Sequence, residues 1–578
     1  MTESGTDHDG VGAPEATLEA AVPASQAARA VRAILANASL RRIEAAWALG
    51  IAGEAAFTVA LLVAAFTIGG PSAVGVLTVV RMAPSVIGAP LAGLLARRRQ
   101  PADLLLRAHG VRAVGALAAT IVLAASGPPL VVLLAAAVAS SAGAFVRPFQ
   151  VAAAPAYAAS PDELVAANSA TSTGEGLGSF AGPLLGAILI AVGGPVAAAI
   201  AGTALFAAGS AALAGLRPTA DELARLQAER SAPSIAEEVS IAAVAQELTA
   251  GLRALAGRHG AAAVLLGFAG QVFVRGLMMT LTVVAAIRLL GLGDPGVGTL
   301  GAAYGLGTLA GALLSVRLAG RRALGPTFAV SLSAWGFPLA VIAAIPHPAV
   351  AIAALAISGV ANATLDVAGF TLLQRTVSGA ERVAVFGLLE ATASFGVGIG
   401  GAAAPLLIGA FGDRGALAVA GAILPVLAVA CWARIRAVDA EFVLPERQLH
   451  LLRGIPLFAR LPMTALEQLA ESMRLVPVAR GETLVREGDM GDAYFVIASG
   501  QFEVRTGTRV VTVVGPGEGV GEIALLRSVP RTASVVALGD GSVYVLDSGA
   551  FVAAVAGPTS AAAATIVMDE RLARSAAD

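Results

Sequence analysis

Near the C-terminus the run GEIALLRSVPRTA (521–533) gathers residue types that suit one kind of ligand. Gly521 lets a backbone approach a bound group closely. A short helical turn predicted from Glu522 to Leu526 presents amide N–H groups at its start, where an anion is held. Arg531, ten residues after Gly521, supplies a planar guanidinium whose paired donors match a phosphate. Glu522 stands beside that cradle as an acceptor for a ribose 2′-hydroxyl.

A second set of candidates lies within long apolar stretches. An ionised side chain at mid-bilayer costs about 3 kcal/mol on insertion scales, so each one needs a reason. Glu54, Arg81 and Arg275 fall near the centres of their stretches, and Glu175, Asp366 and Glu390 fall nearer the ends. One reading makes Glu54 a protonatable or cation-binding group, with Arg275 facing it or an anionic solute. The other makes Glu54 half of a structural pair, such as Glu54 with Arg81. Arg81, Glu175 and Glu390 read as structural or gating groups.

Other chemistry finds no footing. The five histidines are scattered without ligand spacing, and Cys431 is the single cysteine, so neither a metal cluster nor an intramolecular disulfide is expected. There is no GK[ST] phosphate loop and no nucleophile elbow. The expectation is a protein without catalytic activity.

What must position these residues follows from composition. The 578 residues are 57% hydrophobic and 13% charged, with mean hydropathy +0.80, whereas soluble proteins carry about 25% charged residues. That points to a membrane. Aromatics make up 4%, so the apolar mass is Ala, Leu, Val, Ile and Gly, which suits close helix packing in lipid. A net charge of -1 gives no signal for nucleic acid. Every basic residue is Arg or His, a bias that GC-rich codons explain.

Twelve apolar stretches, each about 20 residues long, are predicted to span a bilayer. They lie near 45–68, 72–96, 103–126, 129–150, 169–193, 195–216, 261–288, 295–318, 325–345, 348–372, 384–411 and 414–436. Gly69-Gly70-Pro71, Gly127-Pro128-Pro129, Gly193-Gly194-Pro195, Asp294-Pro295-Gly296 and Pro346-His347-Pro348 break them. Arginines cluster in alternate connections: 97–99, then 217, 225, 230, 253 and 258, then 317, 321 and 322, then 375 and 382. The other connections carry Arg414 alone. Such asymmetry places the arginine-rich side, and both termini, in the cytoplasm. The first 28 residues read as a disordered tail without a signal peptide, and 29–42 as a short amphipathic lead-in helix.

The chain also repeats itself. Val74-Gly75-Val76-Leu77 matches Val297-Gly298-Thr299-Leu300 at an offset of 223, as Ala96 and Arg98-Arg99 match Ala319 and Arg321-Arg322. Pro183-Leu184-Leu185 matches Pro405-Leu406-Leu407 at 222. This is a parallel duplication of six spans, and a cavity is expected between the halves. After about residue 437 long apolar runs stop. A helical pattern within Leu451–Leu475 precedes short strands near 483–485, 494–497, 502–504, 510–514, 533–537 and 543–546, with turns between them, and 560–576 reads as a closing helix.

On these residues two families are recognisable. The twelve spans, the six-plus-six repeat and GAPLAGLLARRR (88–99) resemble the major facilitator superfamily, and RPFQ (147–150) with PDELVAANS (161–169) resembles its efflux branch. Where the family's loop carries an Asp, this chain has Arg97, so the acid to which that family's gating latch is attributed is replaced by a base. The family's lining helices would include those bearing Glu54, Arg275 and Asp366. The 521–533 run, the REGD turn (486–489) and the 494–497 strand resemble a cyclic-nucleotide-binding domain. That resemblance implies Arg531 on the exocyclic phosphate oxygens and Glu522 on the ribose. It puts Gly521, Ile523, Ala524, Thr532 and Ala533 in the same cassette, and makes Arg571 and Arg574 candidates for a lid. Val520 replaces the usual aromatic before the glycine, and Thr532 is compatible with either purine.

The expected fold is therefore membrane all-α, a twelve-helix six-plus-six parallel-repeat bundle followed by a small jelly-roll-like β-barrel with flanking helices. Expected boundaries are a tail at 1–40, a bundle at 41–437 (halves 41–217 and 259–437, linker 218–258) and a barrel unit at 438–578. The expected function is a secondary-active transporter of a small solute in the inner or plasma membrane, regulated by cyclic AMP or cyclic GMP. Glu54, Arg81, Arg275 and Asp366 are its transport or coupling candidates, and its partners are the bilayer, the nucleotide and a small-molecule or ion substrate. The alternative is a membrane-anchored receptor whose bundle no longer transports.

Overall fold

The computed structural model describes residues 37–98, 101–157, 161–216, 241–315, 324–377, 379–441, 446–458, 461, 463–527 and 529–555. The N-terminal tail, most of the 218–258 linker, the arginines at 317, 321 and 322, and the expected closing helix with Arg571 and Arg574 lie outside the described residues. Backbone is described through 98, but not the side chains of 83–98, so Arg97 is placed only as helix.

The bundle consists of α1 (Ala38–Arg98), α2 (Pro101–Ala124), α3 (Pro129–Tyr157), α4 (Pro161–Leu213), α5 (Ile241–Leu255), α6 (His259–Val284, continued by a π-turn to Leu289), α7 (Pro295–Ser315), α8 (Gly325–Ala344), α9 (Pro348–Thr376) and α10 (Gly379–Glu441). Residues 38–42 continue into α1 and so are not a separate lead-in helix. Among the described residues, nine helices are long and apolar enough to cross a membrane, and three of these run 45, 44 and 56 residues. One crossing takes about 20.

Each of the three is broken where the sequence places glycine: Gly69-Gly70 in α1, Gly193-Gly194 in α4 and Gly412 in α10. Gly70, Gly194 and Gly412 have φ of 61°, 68° and 70°, a left-handed backbone that glycine adopts without strain. The chain doubles back there. Glu54 and Arg81 are 27 residues apart, about 40 Å along a straight helix, yet their side chains touch.

The sequence repeat reappears as a repeat of contacts. A Cβ on Gly75 would lie 2.8 Å from the Gly401 carbonyl oxygen and 3.0 Å from Pro405. A Cβ on Gly298 would lie 2.5 Å from the Pro183 carbonyl oxygen. Gly75 corresponds to Gly298 and Pro183 to Pro405, so equivalent glycines join the halves at two equivalent crossings. Small residues there let backbones meet, the way helices associate in lipid. The outer face inverts a soluble surface, with Val192 83%, Val429 77% and Leu406 74% exposed. So much apolar area facing outward needs lipid to cover it.

Beyond α10 come α11 (Glu446–Gly454) and α12 (Met463–Ser472). The single helical region expected over 451–475 is divided: α11 ends at Gly454, two residues before Pro456, which disfavours continuing the helix, and α12 starts at Met463. The strands are β1 (Arg474–Val478), β2 (Thr483–Val485), β3 (Ala493–Ser499), β4 (Phe502–Thr506), β5 (Arg509–Val514), β6 (Gly519–Val520), β7 (Ser534–Ala537) and β8 (Gly541–Asp547), with α13 (Glu522–Arg527) before β7 and α14 (Ser548–Val555) after β8. They form two antiparallel sheets, β1-β8-β3-β6 and β2-β7-β4-β5.

Strand β3 is buried on both faces, which explains why it reads as a continuous apolar run. Phe495 and Ile497 point between the sheets, whereas Tyr494 and Val496 pack under the helices. There Tyr494 stacks on Phe551 at 4.7 Å and meets Phe458 edge-on at 5.6 Å. Burying each ring stabilises by about 1.5–3 kcal/mol. β1, β6 and α14 were not expected. β1 is an edge strand, where Pro477 is tolerated, and β6 is only two residues long.

Candidate functional site

The 521–533 run closes one end of the barrel. β6 ends at Val520, paired with Phe495 of β3, and the chain turns at Gly521 with φ 103° into α13. Any Cβ at Gly521 would stand 2.4 Å from Nη1 of Arg531. The Arg531 guanidinium is buried, donating from Nη1 to the Gly521 carbonyl at 3.0 Å and from Nη2 to the Ala493 carbonyl at 2.7 Å. Asp492 Oδ1 lies 3.5 Å from Nη2, and the Phe495 ring lies 5.8 Å from Cζ. Burial pulls this guanidinium below the ordinary arginine value, and the charges of Asp492, Glu522 and Asp489 oppose that shift.

The REGD turn is part of the same construction. Arg531 N–H donates to the Asp489 carbonyl at 2.8 Å, and Gly488 N–H donates to the Arg531 carbonyl at 2.9 Å. A Cβ on Gly491 would sit 2.8 Å from Ala524 and 3.3 Å from Arg531 Cζ, so the turn packs directly on the cassette. Glu522 is buried at the start of α13, near enough to Arg531 to favour its charge. Ala524 is buried, Ile523 and Ala533 are half-buried, and Thr532 is exposed, its carbonyl accepting from Thr506 Oγ1 at 3.5 Å.

In the first half of the bundle Glu54 does not meet Arg275. Its two carboxylate oxygens are held separately, Oε1 by Arg81 and Oε2 by Arg112. The guanidiniums are 7% and 6% exposed and the carboxylate between them 34%. Arg81 also donates to Ser140 Oγ at 3.0 Å and Thr58 Oγ1 at 2.9 Å. Arg112 lies over the Phe206 ring at 4.2 Å. The pairing of Glu54 with Arg81 follows the structural reading of the sequence. Arg112 was overlooked, although a basic residue inside an apolar stretch was itself the signal. Beside it His109 is fully buried, wedged between Gly50 and Gly209.

Arg275 belongs to a separate network. Asn362 Oδ1 accepts from Arg275 Nη2 at 2.6 Å, Trp335 Nε1 at 3.1 Å and Gln271 Nε2 at 3.2 Å. Its Nδ2 donates to Asp366 Oδ2 at 2.9 Å, so one amide bridges the arginine and the acid. Trp335 Nε1 also lies 3.3 Å from the Tyr304 hydroxyl. On the facing half Arg147 and Glu175 pair at 3.6 Å. Glu390 is exposed.

The two networks occupy equivalent places. At an offset of 223 Arg81 corresponds to Tyr304 and Arg112 to Trp335, and at 222 Ser140 corresponds to Asn362. One half has filled the position with charge, the other with aromatic and amide groups. A cavity of about 340 Å³ lies elsewhere. It is lined by Ser72, Gly75, Val76, Val79, Val80, Ala402 and Pro405 and holds no charged group, which makes it a crevice of the apolar crossing and not a polar site.

Residues 264–479 match the Major Facilitator Superfamily and residues 475–557 match the cyclic nucleotide-binding domain. A cAMP-dependent protein kinase regulatory subunit of Mycosarcoma maydis is 33% identical over 130 residues, 21% of this chain and 25% of that protein. Acetyltransferase Pat of Mycolicibacterium smegmatis is 38% identical over 104 residues, 17% of this chain and 31% of that protein. The chain thus spans between a quarter and a third of the length of these relatives. The regulatory domain of Toxoplasma gondii PKA, solved with cAMP, is 32% identical over 19% of this chain and 44% of that one, with a TM-score of 0.19. With its apolar helices, the chain is a multi-pass membrane protein that joins a Major Facilitator Superfamily bundle to a C-terminal cyclic nucleotide-binding domain.

Proposed function

We propose that this protein is a secondary-active transporter of a small solute, regulated by cyclic AMP or cyclic GMP bound in the 521–533 cassette. The observation that carries the reading is Arg531: a buried guanidinium aimed by two backbone carbonyls, with Glu522 beside it at the start of α13. A charged donor and a charged acceptor in one short cassette suit a phosphodiester and a sugar hydroxyl together. Gly521, Ile523, Ala524, Thr532 and Ala533 complete this pocket. Both nucleotides are candidates, because relatives named for cAMP-dependent and for cGMP-dependent protein kinases both match this chain.

The bundle comprises twelve crossings from about 41 to 437 of an inner or plasma membrane, with both termini and the barrel unit (438–578) on the cytoplasmic side. Its solute and coupling site is the Arg275–Asn362–Asp366 network, where an arginine and an acid lie at opposite ends of one amide. Glu54 and Arg81 hold the first half together, with Arg112. The chain performs no catalysis and needs no metal.

Thermal shift and calorimetry on the full-length protein in lipid nanodiscs test the sensor. Arg531→Ala removes charge-assisted bonds worth about 1.5–3 kcal/mol each, so binding should weaken at least tenfold to a hundredfold. Wild type that binds neither nucleotide refutes this reading. Arg97, standing where the family motif carries an Asp, favours a second reading, a receptor whose bundle no longer transports. Nucleotide binding without flux of any solute in proteoliposomes would support it.

A further inference from the structure

The last turn of α10 is where the bundle hands the chain to the barrel. α10 ends at Glu441 and α11 begins at Glu446, so residues 442–445 tether the two units. That length of chain reaches about 18 Å at most, so a barrel displaced beyond that reach pulls on the end of α10.

That end is gripped from two sides. Asp439 lays its carboxylate across the start of α8, with Oδ1 accepting from Leu324 N–H at 3.0 Å and Oδ2 from Gly325 N–H at 2.8 Å. These are amides that no turn of α8 itself can satisfy, and an anion there also meets the favourable end of the helix dipole. Gly325 permits the contact: a Cβ on it would lie 2.6 Å from the Ile435 carbonyl oxygen and 2.9 Å from Asp439 Oδ2. On the other side a Cβ on Gly260, in the first turn of α6, would lie 2.4 Å from Val438 and 3.2 Å from the Arg434 carbonyl oxygen. Three helices therefore meet at residues 434–439 with backbones in near contact, where little side-chain padding can absorb a shift.

The opposite end of the same helix joins the same assembly. Arg258, just before α6, pairs with Glu381 in the first turn of α10 at 2.7 Å, and Gly251 of α5 packs on Ala384. The first half of the duplication carries no acid at the place corresponding to Asp439, which falls at Leu216–Arg217. Only the half attached to the barrel has this carboxylate.

We infer that Asp439 is the latch through which the nucleotide-binding unit acts on the bundle. Displacement of the barrel by nucleotide is transmitted along the last turn of α10 to the starts of α8 and α6, and the two Asp439 hydrogen bonds report its state. This rests on the proposed nucleotide reading.

The test is hydrogen exchange of the Leu324 and Gly325 amides in the full-length protein in nanodiscs, with thermal shift run in parallel to register binding. Saturating cyclic AMP, and separately cyclic GMP, should change exchange at these amides at least fivefold for whichever nucleotide binds. In Asp439→Ala both amides should exchange at least tenfold faster and lose their response to nucleotide. Since coupling is reciprocal, the same substitution shifts the nucleotide Kd of the full chain. Asp439→Asn keeps the shape and one acceptor, should give an intermediate result, and carries the test if the alanine variant does not fold. Wild type that binds nucleotide with both amides unchanged overturns the latch and leaves the sensor standing, as does a variant that keeps the full response. Wild type that binds no nucleotide overturns both.

Discussion

Glu54 stands between two guanidiniums, and that arrangement sets the order in which substitutions should destabilise the first half of the bundle. Glu54→Gln leaves Arg81 and Arg112 buried without their shared counter-charge. Breaking a buried pair from one side costs about 3–5 kcal/mol, and partial exposure of this carboxylate puts the expectation near the lower figure. Arg112→Met keeps the neutral Arg81–Glu54 pair and loses one ion pair with the stacking on Phe206, about 1–2 kcal/mol in all. Glu54→Gln combined with Arg81→Met should recover part of the single-variant loss, with a coupling energy of about 1–3 kcal/mol. Apparent unfolding temperature, read at one scan rate in one lipid or detergent, gives the ranking. Glu54→Gln as stable as wild type, yet unable to move solute down a proton gradient, would refute the structural role and restore Glu54 as an exchangeable coupling group.

Gly521→Ala forces a side chain into left-handed backbone and 2.4 Å from Arg531, so nucleotide affinity should fall at least tenfold while the barrel still unfolds cooperatively. Calorimetry on the full chain checks it. Asn362→Leu takes the shared acceptor from Arg275, Trp335 and Gln271, and should lower stability by about 2–4 kcal/mol and abolish any solute-dependent thermal shift. Gly75→Val and Gly298→Val occupy equivalent crossings and should lower the unfolding temperature by similar amounts. A large effect at one and none at the other would contradict the equivalence of the two contacts.

Much of this molecule is written in local pattern. Apolar runs of bilayer length, glycine pairs between them and an offset of 223 led directly to the helices, the breaks at Gly69-Gly70 and Gly193-Gly194, and the duplicated crossings, because each is decided within about twenty residues or by repetition. The cassette was legible for the same reason: Gly521, Glu522 and Arg531 lie within one turn-helix-turn, and the structure brings them to one end of the barrel. Elements without a periodic signal were not foreseen, such as two-residue β6 and the division of the 451–475 region at its prolines.

What only the tertiary structure decided is which charge meets which. Glu54, Arg81 and Arg112 come from three successive stretches, and their meeting depends on the hairpin at Gly70 and the rotation of each helix about its axis. A helix period shows that a residue is inside, not whom it faces, so Arg275 could be placed opposite Glu54 on paper while in the folded chain it bonds Asn362. Asp439 is the same lesson at longer range: an ordinary acid at the end of an apolar run becomes a clasp on α8 because packing carries it there.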